Sequence, residues 1–222
     1  MKQICYVQGN LGRIYGELLL PEGAGPHELV VLSHGFGGDG RGNEDVADYF
    51  ASKGFAVYNF DFCGGGYGSR SDGDMLDMTV LTEAEDLSAV IDAFRLDARF
   101  SGISLWGASQ GGFVSAYVAA RRPDDVKKLV LEFPAIVLQD DARARANADG
   151  SFPATSTVFG NVIGRKYNED ATSFDLYDRI GAYPHPVLIL HGDADLIVPL
   201  SYSQRAVNVF PDAELIVMKA CK

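Results

Sequence analysis

A single α/β domain, with a mainly parallel sheet, helices on both faces and one inserted segment, is the fold class the sequence predicts. Three observations carry it. Short apolar runs recur along the 222 residues, separated by stretches of helical spacing, the alternation that builds a parallel sheet through crossover helices. Several of those runs are apolar throughout, as strands buried on both faces are. One stretch, about 134–180, interrupts the alternation.

The elements follow in order. Arg13 to Leu20 alternates apolar with polar and stops at Pro21-Glu22-Gly23, an early antiparallel strand. Leu29 to Ser33 and Phe55 to Phe60 are continuous apolar strands. Between them Asn43 to Lys53 reads as a helix, with Asn43 as N-cap, an acidic first turn and Gly54 as its stop. In the helix Leu81 to Leu96, Thr82 and Glu85 have capping-box spacing ahead of Leu87, Val90, Ile91 and Phe94. Ile103 to Trp106 is a strand, and Gln110 to Arg121 is a helix of small residues closed by Pro123. Lys128 to Leu131, Val187 to Leu190 and Glu214 to Met218 are strands, and Ser201 to Val209 is a helix ahead of Pro211. From Phe133 to Ile180 no period is clear, and Asp140-Asp141-Ala142-Arg143 mixes with Phe152, Phe159, Tyr167, Phe174 and Tyr177. About 45 residues rarely support a core of their own. The expectation is therefore one domain over 1–222 with a short inserted lid at about 134–180, and no second domain.

Hydrophobic residues make up 47% and charged residues 22%, an ordinary globular balance. The net charge of −11 repels phosphate backbones and anionic lipid, which argues against nucleic acid and membrane as partners. No stretch approaches the roughly 20 apolar residues of a bilayer span. Met1 to Val7 has no leader character, and the cysteines Cys5, Cys63 and Cys221 are odd in number and far apart. No disulfide framework is expected, and a cytoplasmic location is. Cys63-Gly64-Gly65-Gly66-Tyr67-Gly68 lacks the spacing and the following helix of a phosphate-binding loop, so Cys63 reads as a plain loop cysteine.

The chemistry concentrates at three strand ends. Gly107-Ala108-Ser109-Gln110-Gly111 has the form G-x-S-x-G between an apolar strand and a helix of small residues. A serine on so sharp a turn is held in strained geometry at a helix N-terminus, whose free N–H groups face a developing oxyanion. That makes Ser109 the candidate nucleophile, with Gly107 and Gly111 admitting close backbone. His34-Gly35-Phe36-Gly37-Gly38 follows the Leu29 to Ser33 strand. Gly35 makes this turn tight, and Phe36 is the candidate for a second oxyanion N–H beside that of Gln110. His191-Gly192-Asp193-Ala194-Asp195 follows the Val187 strand and supplies carboxylates for orienting a base; Asp195 is favoured over Asp193. Groups packed so tightly on one loop make a poor metal cage, so neither a metal nor a cofactor is expected.

Taken together these pieces resemble the cinnamoyl and feruloyl esterase-like group of bacterial α/β hydrolases. The resemblance also rests on Ser71-Asp72-Gly73, Asp77-Met78-Thr79-Val80-Leu81-Thr82 and Phe133-Pro134-Ala135, and it spans nearly the whole chain. It implies an α/β-hydrolase fold and a serine carboxylic ester hydrolase acting through an acyl-enzyme. Ser109 would be nucleophile, Asp195 triad acid, Phe36 and Gln110 oxyanion donors, and a small-molecule acyl ester the substrate. A homodimer is left open. A serine peptidase or acyltransferase on the same fold and a non-catalytic ligand-binding relative are the alternatives. One expected element has no candidate. The triad histidine of such proteins follows the last strand, here Glu214 to Met218, and the sequence ends at Lys219-Ala220-Cys221-Lys222. The chain therefore reads as cut short of that loop. His27 and His185 lie at the wrong end of the sheet, and His34 and His191 belong to turns of their own.

Overall fold

The computed structural model describes residues 2–221; Met1 and Lys222, end points of the leader and truncation readings, lie outside the described residues. The chain runs β1 (Lys2–Gln8), β2 (Arg13–Leu19), β3 (His27–Ser33), α1 (Glu44–Ser52) and β4 (Ala56–Phe60). It continues through α2 (Val80–Phe94), β5 (Phe100–Ala108), α3 (Gln110–Arg121) and β6 (Val126–Glu132). The inserted segment holds α4 (Leu138–Ala144), the hairpin β7 (Thr155–Val158) and β8 (Asn161–Gly164), α5 (Arg165–Thr172) and α6 (Tyr177–Ile180). β9 (Val187–Gly192), α7 (Leu200–Val207) and β10 (Ala213–Met218) complete the order.

Eight strands form one sheet in the order β1-β2-β4-β3-β5-β6-β9-β10, parallel from β4 to β10, with β1 and β2 antiparallel. β3 and β4 are buried along almost their whole length, which is why they read as unbroken apolar runs. On one face Val30, Leu32, Val57 and Trp106 pack against Ala47, Val46 and Phe50 of α1. On the other Leu29, Val31, Leu105 and Leu129 join Leu87, Val90, Ile91, Phe113 and Val114 of α2 and α3 in the larger core. This is the α/β-hydrolase architecture, a mostly parallel sheet with helices on both sides. β3 lies between β4 and β5, so the chain reverses its direction of travel across the sheet there. Crevices form at such a switch point, beyond the carboxyl ends of the strands.

The structure corrects one sequence expectation and adds elements the sequence does not show. β1, Lys2–Gln8, is an additional edge strand: its run Ile4-Cys5-Tyr6-Val7 is mostly exposed and does not alternate, and antiparallel pairing with β2 fixes it. The α2 capping box is built on Thr79 and Thr82, not Thr82 and Glu85, because Thr79 is the extended residue before the helix. The aperiodic segment holds elements of four to eight residues, too short for a period to show.

Candidate active site

Three loops meet at the carboxyl edge of the sheet: those after β3, β5 and β9. Ser109 sits between β5 and α3 with φ 52° and ψ −120°, a conformation that costs on the order of 1–3 kcal/mol unless its surroundings impose it. They do. Its N–H donates to the Glu132 carbonyl at 2.9 Å, and its own carbonyl accepts from Ala135 at 2.9 Å and Phe113 at 3.1 Å. The flanking glycines are steric requirements. A Cβ at Gly107 would stand 2.4 Å from the Gly111 carbonyl oxygen, and one at Gly111 would stand 2.3 Å from that of Ser33. Gly35 brings the β3 turn against Ser109, its Cβ position lying 3.3 Å from Ser109 Cβ. Phe36 and Gln110 thus flank Ser109, and the Gln110 N–H belongs to the first turn of α3, where no intrahelical carbonyl reaches it.

Asp195 and Ser109 line one cleft of about 460 Å³, walled by Phe133, Leu196, Ile197 and Val198. Asp195 Oδ1 accepts from the Ile197 and Val198 N–H groups at 2.8 and 2.9 Å, which fixes the carboxylate. Asp193 turns elsewhere and accepts from the Ala220 N–H at 2.7 Å. A narrow apolar pocket of about 50 Å³ opens on the other side of Ser109, lined by Phe36, Ala135, Leu138, Phe159 and Tyr167, with Asp141 and Arg145 also on its wall. The inserted segment supplies most of that lining. Phe159, exposed at the β7–β8 tip, faces Phe36 with ring centroids 6.4 Å apart, and Tyr167 meets Phe36 edge-on at 6.0 Å.

His34, His185 and His191 are hydrogen-bonded to groups other than Ser109, and His27 lies at the far end of β3. His34 is buried, its Nδ1 bonded to the Gly35 carbonyl at 2.8 Å and its Nε2 accepting from the Phe62 N–H at 3.0 Å. Burial holds its pKa below the usual imidazole range, so it stays neutral. His191 Nε2 donates to the Val198 carbonyl at 2.8 Å and Nδ1 accepts from Ser203 Oγ at 2.7 Å, while Asp195 Oδ2 stands 3.7 Å from Nε2. His185 Nε2 bonds the Pro123 carbonyl at 3.0 Å, and His27 opens β3 at the far end of the sheet. Cys63 is wholly buried, and burial pushes its thiol well above its ordinary range, so the loop cysteine is inert. Among the described residues no three His, Cys, Asp or Glu side chains converge as a metal site.

Sequence reasoning passed over three residues at this site. Glu83 and Tyr167 hold the Gln110 side chain from opposite sides. Glu132, at the end of β6 and beside the elbow, is half-buried, and desolvation raises its pKa. Glu83 lies on α2 and Tyr167 on α5, and nothing in their local sequence marks either as an inward polar residue; only the 27- and 57-residue separations from Gln110, closed by folding, do so.

The arrangement recurs in known proteins. The monoacylglycerol lipase of Mycolicibacterium smegmatis is 25% identical over 82% of this chain and 75% of its own length. The lysophosphatidylserine lipase ABHD12 of Xenopus tropicalis is 25% identical over 82% of this chain and 47% of its own. The solved structure of Est1E from Butyrivibrio proteoclasticus with ferulic acid bound superposes with a TM-score of 0.87 at 25% identity, over 97% of this chain and 89% of that one. The family model described as serine aminopeptidase, S33 matches residues 24–174. The chain belongs to that family, and is a serine hydrolase of α/β-hydrolase fold.

Proposed function

We propose that the chain is a carboxylic ester hydrolase that works through an acyl-enzyme on Ser109, with small acyl esters, hydroxycinnamoyl esters among them, as substrates. The observation that carries the reading is the strained Ser109 facing a fixed Asp195 carboxylate across an open cleft. Ser109 Oγ attacks the ester carbonyl, and the oxygen that becomes negative lies against the Phe36 and Gln110 N–H groups. The proton leaves to an imidazole seated between Ser109 and Asp195, oriented by that carboxylate, and returns to the departing alcohol. No histidine of the described residues occupies that position. A small acyl group enters the pocket of Phe36, Leu138, Phe159 and Tyr167, and a hydroxycinnamoyl group reaches from it into the cleft of about 460 Å³ beside Ser109. The pocket's aromatic walls suit a planar acyl group, a reading supported by the ferulic acid in the Est1E structure, and the lipase relatives support ester chemistry more broadly.

The test is hydrolysis of p-nitrophenyl acetate and methyl ferulate by the 222-residue chain beside Ser109→Ala, each with and without imidazole in solution. Turnover that depends on Ser109 and rises with imidazole is expected. Equal rates for the two proteins in both conditions would overturn the reading and favour a ligand-binding relative without catalysis. The family description favours one second reading, peptide hydrolysis. An amide compared with its matching ester decides between them: faster turnover of the amide would make the chain a peptidase.

A further inference from the structure

A buried polar cluster behind the nucleophile has no part in the mechanism above. Glu83 and Asp86 lie one turn apart on α2, each 1% exposed. Glu83 Oε2 accepts from Gln110 Nε2 at 2.9 Å, and that same nitrogen lies 3.7 Å from the Met78 sulfur. Gln110 Oε1 accepts the Tyr167 hydroxyl. Both ends of the Gln110 amide are therefore held, one by α2 and the other by α5 of the inserted segment. Glu83 Oε1 and Asp86 Oδ1 have no partner among the described residues, while Asp86 Oδ2 accepts from the Cys63 N–H at 2.8 Å.

A buried carboxylate whose single bond comes from a neutral amide is costly to charge, and no cation is paired with Glu83 among the described residues. The groups around it on every packed element reinforce this. Asp86 on α2 repels a second negative charge, and Tyr167 on α5 carries a hydroxyl that burial keeps protonated. Asp141 and Arg145 of the α4 region act on Tyr167 with opposite signs, and Asp170 of α5 is bonded to Thr79 at the start of α2. Burial first, then Asp86, pushes the Glu83 pKa up to about 8, against the Gln110 bond that lowers it.

We propose that Glu83 is a positioning residue, which locks the Gln110 side chain to α2 and, through that amide, to Tyr167, and so fixes the residue whose amide faces the oxyanion. This rests on the hydrolase reading for its last link only; the lock itself does not depend on it. Ionisation strengthens the bond from Gln110 Nε2 and leaves Glu83 Oε1 charged without a donor among the described residues, so the Gln110 amide senses the charge directly.

The experiment follows two readouts across about pH 6 to 9.5 in wild type, Glu83→Gln and Glu83→Leu. One is the NMR signal of the Gln110 side-chain amide, which needs no catalysis. The other is the rate at which a fluorophosphonate labels Ser109 with imidazole present. In wild type the Gln110 amide signal titrates near pH 8. Glu83→Gln, which keeps an acceptor for Gln110 and carries no charge, holds the amide signal flat and labels at the wild-type rate at low pH; Glu83→Leu, which removes the acceptor, labels roughly tenfold more slowly than Glu83→Gln at every pH. A Gln110 signal that titrates identically in wild type and Glu83→Gln, or in neither, overturns the proposal. A signal that behaves as expected in a chain whose Ser109 never labels supports the lock and overturns the hydrolase reading.

Discussion

Gly111 shows at the scale of one residue why the elbow motif was legible. Its Cβ position is blocked by the backbone oxygens of Ser33 and His34 at 2.3 and 2.4 Å, neither of which can yield as a side chain would. Gly111→Ala should therefore destabilise the fold by about 2–4 kcal/mol, measured by urea denaturation, because a core backbone must shift. Gly35→Ala meets only Ser109 Cβ at 3.3 Å and is expected to fold with reduced Ser109 reactivity. The two acids of the β9 loop separate in the same way. Asp195→Asn removes the charge facing the cleft and should abolish imidazole-dependent labelling of Ser109. Asp193→Asn weakens the bond to Ala220 and should change stability alone. If the two variants label alike, Asp195 has no special part. Both acids could be found in the sequence because a strand end and a loop place them. Glu83 could not, since an acid in the amphipathic helix α2 has the same local signature whether it faces water or Gln110.

Among the elements, α2 illustrates how one hydroxyl joins two parts of the structure. Thr79 Oγ1 accepts from the Leu81 and Thr82 N–H groups and donates to Asp170 Oδ2 on α5 at 2.7 Å. Thr79→Ala should cost about 1–2 kcal/mol, as loss of a helix cap does. Because the third bond reaches the inserted segment, hydrogen exchange over Arg165–Thr172 should quicken more than over α3; equal changes in both helices would contradict that coupling. The cap was misplaced in the sequence reading because Thr79 and Thr82 both precede acids and apolar residues, and only backbone conformation tells the extended one from the helical one. The parallel strands were readable for the opposite reason: burial on both faces leaves no polar position to blur the run.

For the molecule as a whole, the acids divide into two sets that pull stability in opposite directions with pH. Asp39 is lowered to about 2 by its bonds to Arg41, and Asp61 is also lowered, the Arg70 bonds outweighing the burial that opposes them. Such groups stabilise the fold above their unfolded pKa, and that contribution is lost as pH falls through the folded value. Burial raises Asp86 to about 6 and Glu83 to about 8. For these the sign reverses: the folded state holds the proton more tightly, so stability declines as pH climbs from the unfolded values near 4 through 6 and 8. The denaturation midpoint should peak in mildly acid solution, around pH 5, and fall toward pH 9. Glu83→Gln should flatten the alkaline arm, and an arm of unchanged slope would mean Glu83 does not contribute to it. No reading of composition anticipates this, because −11 net charge says nothing of which carboxylates lose water on folding.

The two bonds that hold Ser109 from outside its own helix, to Glu132 and Ala135, have a consequence for how this architecture can change. The chain takes its leave of Ser109 at Ala135 and rejoins the sheet at Val187, in β9. Whatever lies between shapes the acyl pocket without contributing to either bond. Insertions or deletions in that stretch that keep Tyr167 on Gln110 can therefore refit the pocket to a new ester while the Ser109 hydroxyl keeps its pose, so substrate range and reactivity are free to evolve apart.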